Sequence, residues 1–329
     1  MKTATTLRRI VLSLATGAAG AVFALAPHMA NAAASQSFQI SPPTANYSAD
    51  KGGQQKGTVK VTNLTGVPMT INVGKENFVA KGEEGEIELV DNADPLYSLA
   101  PWFVLDATQL DLPALGTKEL HYTIAVPTDA EPGGRYGSIT FSSIPPKLPS
   151  GQSGAAVQQT IAGIAFLRIN GPANEQLQVA SFQTGRIDSK QNWTPQSFFE
   201  VGPVDFLTRV KNTGTVHEKA TGTISIRNMF GFTVAKIPLD EHFVIPGAIR
   251  RLHNTWPTGK QKPFMIGRYT ATLNATYGGG KTLTASTSFT VIPWKPISIG
   301  LIILILIIIF FWRTRKRWGR AFRILAGRE

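Results

Sequence analysis

The chain has 329 residues, a formal net charge of +12, 16% charged residues and no cysteine, and its mean hydropathy is close to zero. This composition is too apolar for a disordered chain and too polar for a transporter with many membrane spans. The absence of cysteine excludes disulfides, thiolate metal sites and a cysteine nucleophile. The length predicts two domains or one large one.

The positive charge is concentrated at the two ends of the chain. The first nine residues carry +3 and the residues after Trp312 carry +6, which leaves +3 for the rest. The body of the protein is therefore nearly neutral, which argues against a nucleic-acid partner. Both basic ends are better explained by membrane topology.

The N-terminus has the layout of a secretory signal peptide. Three basic residues precede an apolar run that starts at Ile10, and the small-residue sequence Ala30-Asn31-Ala32 follows it. We predict a signal peptide over residues 1–32, cleaved between Ala32 and Ala33. Cleavage one or two residues later and a retained N-terminal anchor are the alternatives.

The sequence pattern in the body of the chain predicts two β-sandwiches. Short runs with period-two alternation, such as Thr58–Thr62 and Thr270–Leu273, are separated by Gly, Pro and Asn turns, a pattern typical of half-buried antiparallel strands. We predict an all-β fold of two tandem immunoglobulin-like β-sandwiches, followed by one C-terminal transmembrane α-helix. The sandwiches are assigned to 33–148 and 195–293, with a linker and connecting strands over 149–194.

Internal repetition supports this division. The sequence around Asn63 is echoed around Asn212, the Pro113 turn is echoed at Pro246, and Gly134-Arg135-Tyr136 recurs 133 residues later. The first pair is separated by 149 residues and the later pairs by 133, so the first copy contains an insertion of 16 residues. The insertion lies within residues 74–102 and includes an acidic run, which we predict to be a solvated loop. A Ca²⁺ site and a binding loop are the alternatives.

No catalytic or metal-binding motif is complete. Gly280-Lys281-Thr282 resembles the end of a phosphate-binding loop, but Ala275 stands where the first glycine is required, so we predict a glycine hairpin turn. The histidines are scattered, without a metal-ligand pair. We therefore expect no enzyme activity, no catalytic residues, no cofactor and no metal, with a carboxylate site assembled in space as the alternative. Trp193, in a polar stretch, is the candidate for an exposed ligand-binding aromatic residue, whereas Trp102 lies in an apolar run that predicts core packing.

The C-terminus predicts a membrane anchor. No charged residue occurs between Lys295 and Arg313, a run of 17 residues that makes roughly 25 Å of helix. We predict a transmembrane helix over 294–312, with lipid contact through 297–312, and a basic cytoplasmic tail over 313–329. A buried core helix is the alternative. The residues expected at the membrane interfaces are Trp294, Trp312, Arg313, Arg315, Lys316 and Arg317.

Ser41-Pro42-Pro43, Val61-Thr62-Asn63 and the sequence Pro132–Gly137 resemble the first immunoglobulin-like domain of the bacterial WxL-interacting cell-surface proteins. The layout of that family is also similar: a signal peptide, two β-sandwich domains, one transmembrane helix and a short basic tail. The resemblance implies peptidoglycan binding by the first domain and binding of a surface or host ligand by the second. It carries no individual binding residues to this chain.

These observations predict a bacterial cell-surface protein, held by a single membrane span with its ectodomain outside and its C-terminus in the cytoplasm. Its expected partner is cell-wall polymer or another envelope protein. The alternative is a surface assembly chaperone that pairs a client strand with a sheet edge.

Overall fold

The computed structural model describes residues 37–144, 158–190, 192–258 and 265–325. The predicted signal peptide and its cleavage site at Ala32 and Ala33 lie outside these residues. Phe38–Glu329 forms one compact unit, which contains two β-sandwiches and a C-terminal helix. The predicted fold class is confirmed.

The first sandwich contains ten strands in two sheets. One sheet has the order β1-β3-β8-β6, and the other has the order β2-β10-β9-β4-β5, with β7 pairing with β4. The strands are β1 Phe38–Ser41, β2 Thr44–Ala49, β3 Gln54–Asn63, β4 Met69–Lys81, β5 Glu86–Val90, β6 Phe103–Leu105, β7 Gln109–Leu112, β8 Thr117–Ala125, β9 Gly133–Ser143 and β10 Thr160–Ile169.

Alternating side chains build the core of this sandwich. In β8 the inward-facing residues Leu120, Tyr122 and Ile124 are buried, and the residues between them face outward, as the two-residue period of a strand requires. The central strand β9 is an exception, because all but one of its residues are buried. One face of β9 contributes Ile139 and Phe141 to the sandwich core, and on the other face Tyr136 packs against His217 of the second sandwich.

The second sandwich has the sheet orders β12-β11-β14-β19 and β13-β21-β20-β16-β17, and a small sheet pairs β15 with β18. Its core includes Phe199, Phe206 and Phe289. The strands are β11 Leu177–Ile187, β12 Trp193–Pro195, β13 Phe198–Phe199, β14 Val204–Asn212, β15 Glu218–Lys219, β16 Thr221–Asn228, β17 Thr233–Pro238, β18 Phe243–Val244, β19 Ile249–Trp256, β20 Gly267–Tyr277 and β21 Lys281–Val291.

The sequence repeat corresponds to a repeated structural device. Asn63 is buried at the end of β3, and its Nδ2 donates to the carbonyl oxygens of Val67 and Pro113. Asn212 is buried at the end of β14, and its Nδ2 donates to the carbonyl oxygens of Val216 and Val244. Each asparagine thus joins two loops at one end of its sandwich.

The boundary between the sandwiches falls after β10. The prediction placed a linker and connecting strands over 149–194, whereas β10 is a strand of the first sandwich and β11 and β12 belong to the second. Residues 170–176 make the connection. Gly280 ends a short 3-10 turn at Gly278–Gly280 in the hairpin between β20 and β21, and Lys281 begins a strand rather than a helix.

Helix α1 extends over Trp294–Leu325. Its part Trp294–Thr314 is long and apolar enough to cross a membrane, and none of it is buried against the rest of the protein. Twenty-one residues make about 31 Å of helix, close to the hydrocarbon thickness of a bilayer. Its exposed apolar surface makes a buried core helix untenable.

Candidate functional site

The 74–102 insertion forms part of a long hairpin rather than a free loop. Strands β4 and β5 pair from Asn77↔Val90 to Lys81↔Glu86, and the turn between them reaches the second sandwich. There the backbone N–H of Arg251 donates to the carbonyl oxygen of Glu83 over 2.8 Å. The prediction of a solvated acidic loop is therefore wrong for the tip of this hairpin.

Two cations of the second sandwich hold the hairpin tip. The Glu83 carboxylate accepts hydrogen bonds from Arg209 Nε at 2.8 Å and from Arg251 Nε at 3.0 Å. These bonds, the Arg209 bonds foremost, lower the pKa of Glu83 below its ordinary value. Glu84 accepts from Arg251 at 3.1 Å and lies 3.2 Å from His253 Nε2. The insertion therefore acts as a clamp between the two sandwiches, and the carboxylates of Glu83 and Glu84 are engaged by cations of the second sandwich.

An aromatic cluster fills the rest of the junction. The rings of Tyr136 and Phe166 from the first sandwich lie 5.6 and 5.2 Å from the ring of His217, and the ring of Phe243 lies 5.2 Å from His217 and 5.4 Å from Phe166. His217 Nε2 is 3.0 Å from Asn46 Oδ1. Burial lowers the pKa of His217 to about 4, so the imidazole is neutral at ordinary pH. The junction is therefore a packed interface.

The open feature of the first sandwich is the edge of β10. Strand β2 pairs with β10 from Ile164↔Thr44 to Ile169↔Ala49, and no described strand occupies the edge of Thr160–Gly163 on that side. The backbone N–H of Ile164 donates to the carbonyl oxygen of Pro43, whereas Gln159 bonds toward β9. The N–H groups of the even-numbered residues, including Ala162, therefore face the edge.

This edge lacks the usual protection against strand pairing. Thr160, Ile161, Ala162 and Gly163 include no charged residue and no proline, the residues that blunt exposed edges in many sheets. By contrast, the edge strand β5 carries two glutamates. Ile161 and the facing Ile40 of β1 pack against the sandwich core but are only partly buried. The sandwich is thus incompletely closed next to the unpaired backbone.

An apolar surface adjoins the open edge at the end of the sandwich remote from the junction. We call it the distal patch: Leu64, Val67, Leu115 and Ile144, which are 43%, 63%, 70% and 43% exposed. The backbone N–H of Leu115 donates to the carbonyl oxygen of Thr65, which joins two of the loops. Ile144 directly follows β9, whose residue Ser142 pairs with Thr160. The patch and the open edge therefore lie at the same end of the first sandwich.

Leu115 is held in an unfavourable backbone conformation. Its φ is +54°, and among the described residues it is the one non-glycine residue with positive φ. A left-handed conformation costs an ordinary residue about 1–2 kcal/mol, and glycine avoids this cost. A large apolar side chain that is 70% exposed at a position suited to glycine is consistent with a role in binding.

The structure places the other predicted residues apart from this surface. Trp193 lies in β12 of the second sandwich, where its partly buried indole covers Gly185; its role in ligand binding stays a prediction. Trp102 packs against the first core. Trp294, Trp312 and Arg313 lie on α1, and Arg315, Lys316 and Arg317 are helical in backbone. Among the described residues, no cluster of three or more His, Asp or Glu side chains is arranged to hold a metal ion.

The second sandwich contains a groove between its edge strands β17 and β19. Its volume is about 1110 Å³, and its lining includes Ile237, Leu239 and Met265 together with the acidic residues Asp240 and Glu241. Thr258 and Met265, which border residues 259–264, also line it.

Neither a family model nor a curated protein matches the chain. Similar solved structures include the class 5 fimbriae chaperone CfaA, 12% identical, with 77% of this chain and 99% of that chain covered at a TM-score of 0.37. The YadV chaperone is 10% identical, with 77% and 100% covered at a TM-score of 0.36. The Salmonella enterica SafA pilin complex with the SafB chaperone is 12% identical, with 78% and 96% covered at 0.36. Likenesses this distant assign neither a function nor a partner to this chain.

Sequence reasoning missed the open edge and the distal patch. The signal for β10 was present, because Ile161, Ala165 and Leu167 alternate with small or polar residues after the Pro/Ser/Gly-rich segment. The length of the unpaired edge depends on where β2 begins, at Thr44 opposite Ile164, and the sequence of β10 does not contain this information. The signal for the patch was an apolar residue within each of several turns.

Proposed function

We propose that this protein binds an extended segment of another envelope protein by strand addition at the open edge of β10. The observation that carries the proposal is the unpaired edge of Thr160–Gly163 beside the half-exposed Ile40 and Ile161. An added strand gains affinity from main-chain hydrogen bonds and specificity from alternate side chains. One set of its side chains would cover Ile40 and Ile161, and its continuation would cover the distal patch.

In this proposal the protein is a non-enzymatic bacterial surface component. Helix α1 holds it in the cell membrane, and the cations after Trp312 place its C-terminus in the cytoplasm by the positive-inside rule. The clamp at Glu83 fixes the two sandwiches as one body, so the open edge is presented at the end remote from the second sandwich. From Gly134 at the junction to Ile144, the strand rise of about 3.3 Å per residue gives roughly 33 Å.

Strand addition accounts for the surface better than polymer binding does. A glycan or peptidoglycan site requires polar groups and aromatic faces in a groove, whereas the distal patch is aliphatic and its neighbour is unpaired backbone. The chaperone alternative is one form of the proposed function, in which the bound segment is released to another subunit. Stable attachment to the same partner is the other form.

The experiment uses Ala162→Pro with Ala162→Val as its matched control. The Ala162 N–H faces the open edge, so proline removes an edge donor and obstructs pairing while the bonds from the odd-numbered residues to β9 remain. Valine keeps the N–H and favours the strand. Full-length tagged protein is captured from membranes of the cells that produce it, and bound proteins are identified by mass spectrometry.

We expect one discrete protein with wild type and Ala162→Val and at least a tenfold loss of it with Ala162→Pro, a difference of about 1.4 kcal/mol. Purified peptidoglycan is tested in parallel with the same three proteins. Equal capture of the same proteins by all three would contradict strand addition. Retention on peptidoglycan that is indifferent to the substitution would favour a polymer-binding function instead.

A further inference from the structure

A second apolar surface lies at the opposite end of the molecule, around the start of α1. We call it the membrane-proximal patch: Met229, Phe230 and Phe232 in the turn between β16 and β17, with Ile266 next to them, since the adjoining Gly267 lies against the Met229 side chain. Met229, Phe230 and Phe232 are 58%, 75% and 69% exposed. Polar residues and glycine ordinarily occupy hairpin turns, so an exposed turn with two phenylalanines requires an explanation.

The turn is built to hold these side chains outward. Asn228 Oδ1 accepts the backbone N–H groups of Phe230 and Phe232 at 3.1 and 3.0 Å. Gly231 has a φ of +84° and donates its N–H to the carbonyl oxygen of Asn228. These hydrogen bonds fix the backbone of the turn and so limit how far the two phenylalanine rings can fold back against the sandwich.

Sheet register puts this turn level with the start of the membrane helix. Asn228 pairs with Tyr269 on β20, and Gly267 pairs with Val291 on β21. Continuing the antiparallel register by two residues places Phe230 opposite Gly267, and hence level with Val291. Val291 precedes Trp294 by three residues, which span at most about 10 Å. Neighbouring strands are about 4.8 Å apart, so the turn lies roughly 10 Å to the side of β21.

The charges around the patch fit a lipid surface. Arg227 and Arg268 are exposed on the strands that lead to it, and Lys295 follows Trp294 on α1. At this end Glu200 is paired with Lys295 at 2.8 Å, and Asp205 is buried and accepts hydrogen bonds from the Ile187 N–H and the Thr255 hydroxyl. Aromatic residues flanked by cations are the side chains that settle at the headgroup boundary of a bilayer with anionic lipids.

We propose that the turn Met229–Phe232 inserts into the outer headgroup region of the same bilayer that α1 crosses. The inference rests on the membrane placement of α1 and is independent of strand addition at β10. With two points of contact, the second sandwich is held at a fixed orientation to the membrane and does not swing freely on the helix. The turn then sets the direction in which the open edge of β10 is presented.

The absence of cysteine allows a direct test with single labels. Variants Phe230→Cys, Trp294→Cys and Thr282→Cys of the full-length protein are each labelled with the fluorophore NBD. Thr282 is an exposed residue of β21 nine positions before Val291, about 30 Å along the strand. Each protein is reconstituted, one chain per disc, into nanodiscs of phosphatidylethanolamine and phosphatidylglycerol with or without nitroxide-labelled lipid.

We expect the nitroxide lipid to quench most of the fluorescence at positions 230 and 294 and little at 282. Adding Phe232→Asp to the Phe230→Cys variant should abolish quenching at 230, which separates insertion of the turn from affinity of the label for lipid. Quenching at 294 with no more quenching at 230 than at 282 would overturn the proposal. Burial of the 230 label without quenching would assign the patch to a protein contact instead. No quenching at 294 would refute the membrane placement itself and leave the strand-addition experiment unaffected.

Discussion

Replacing Glu83 by glutamine tests the clamp between the sandwiches. The glutamine side chain would keep one carbonyl oxygen as a hydrogen-bond acceptor. It would lose the negative charge that now pairs with Arg209 and Arg251. Hydrogen bonds to charged groups contribute about 1.5–3 kcal/mol when buried. Glu83 is 23% exposed, while Arg209 and Arg251 are 33% and 37% exposed and can regain water. We therefore expect Glu83→Gln to lower the free energy of unfolding by about 1–2 kcal/mol.

The matched control is Glu88→Gln on the same hairpin. Glu88 lies 3.9 Å from Lys81 and both side chains are more than half exposed, so we expect a change of less than about 0.5 kcal/mol. The measurement is urea unfolding of the full-length protein in detergent micelles. Because the pKa of Glu83 is lowered from its ordinary 4.5, its contribution is present above pH 4.5 and is lost as the pH falls through the lower, folded-state value. If Glu83→Gln and Glu88→Gln have equal effects at pH 7, the clamp does not stabilise the junction.

Three further predictions concern single residues. Since burial lowers the pKa of His217 from 6.5 to about 4, its stabilising contribution should be complete above pH 6.5 and decline as the pH falls toward 4. The melting temperatures of wild type and His217→Gln, measured across this range, should therefore converge at the acidic end. A constant difference between the two proteins would contradict the buried neutral imidazole. Asn212→Ala leaves buried backbone groups without partners, so it should lower the free energy of unfolding, measured by urea titration, by about 2–4 kcal/mol. The control Asn92→Ala, at an exposed position, should lower it little. Equal losses in the two variants would refute the bridging role of Asn212. Leu115→Gly should raise the unfolding free energy by up to about 1 kcal/mol, because glycine relieves the positive φ, yet reduce partner capture; unchanged capture would remove Leu115 from the binding surface.

The repeated pattern was enough to predict two sandwiches. Asn63 and Asn212, each after an alternating strand and followed at a distance by a proline turn, occupy equivalent places in the two domains. Their roles follow from local chemistry, because an asparagine at a strand end bonds to nearby backbone groups. The apolar helix was predictable for the same reason: its signal is contained in one continuous run of residues.

The junction could not be predicted from the sequence. Glu83 is separated from Arg209 by 126 residues and from Arg251 by 168, and charged residues at such separations are equally consistent with solvated surfaces. The acidic run alone therefore indicated a free loop. The pairing of β4 with β5 in the structure shows instead that the turn between them contacts the second sandwich. The open edge could not be predicted for a similar reason, because it depends on the unequal lengths of β2 and β10. The phenylalanine-containing turn was visible in the sequence, but its place beside α1 required the sheet order.

The most direct test of strand addition is backbone amide hydrogen exchange over β10 in the full-length protein, alone and with the captured partner. Alone, the Ala162 amide should exchange rapidly, and the Ile164 amide, which bonds to Pro43, should be protected. Partner binding should raise the protection of Ala162 to the level of Ile164. Partner binding with no change in the exchange of Ala162 would contradict the central claim that a strand pairs with this edge.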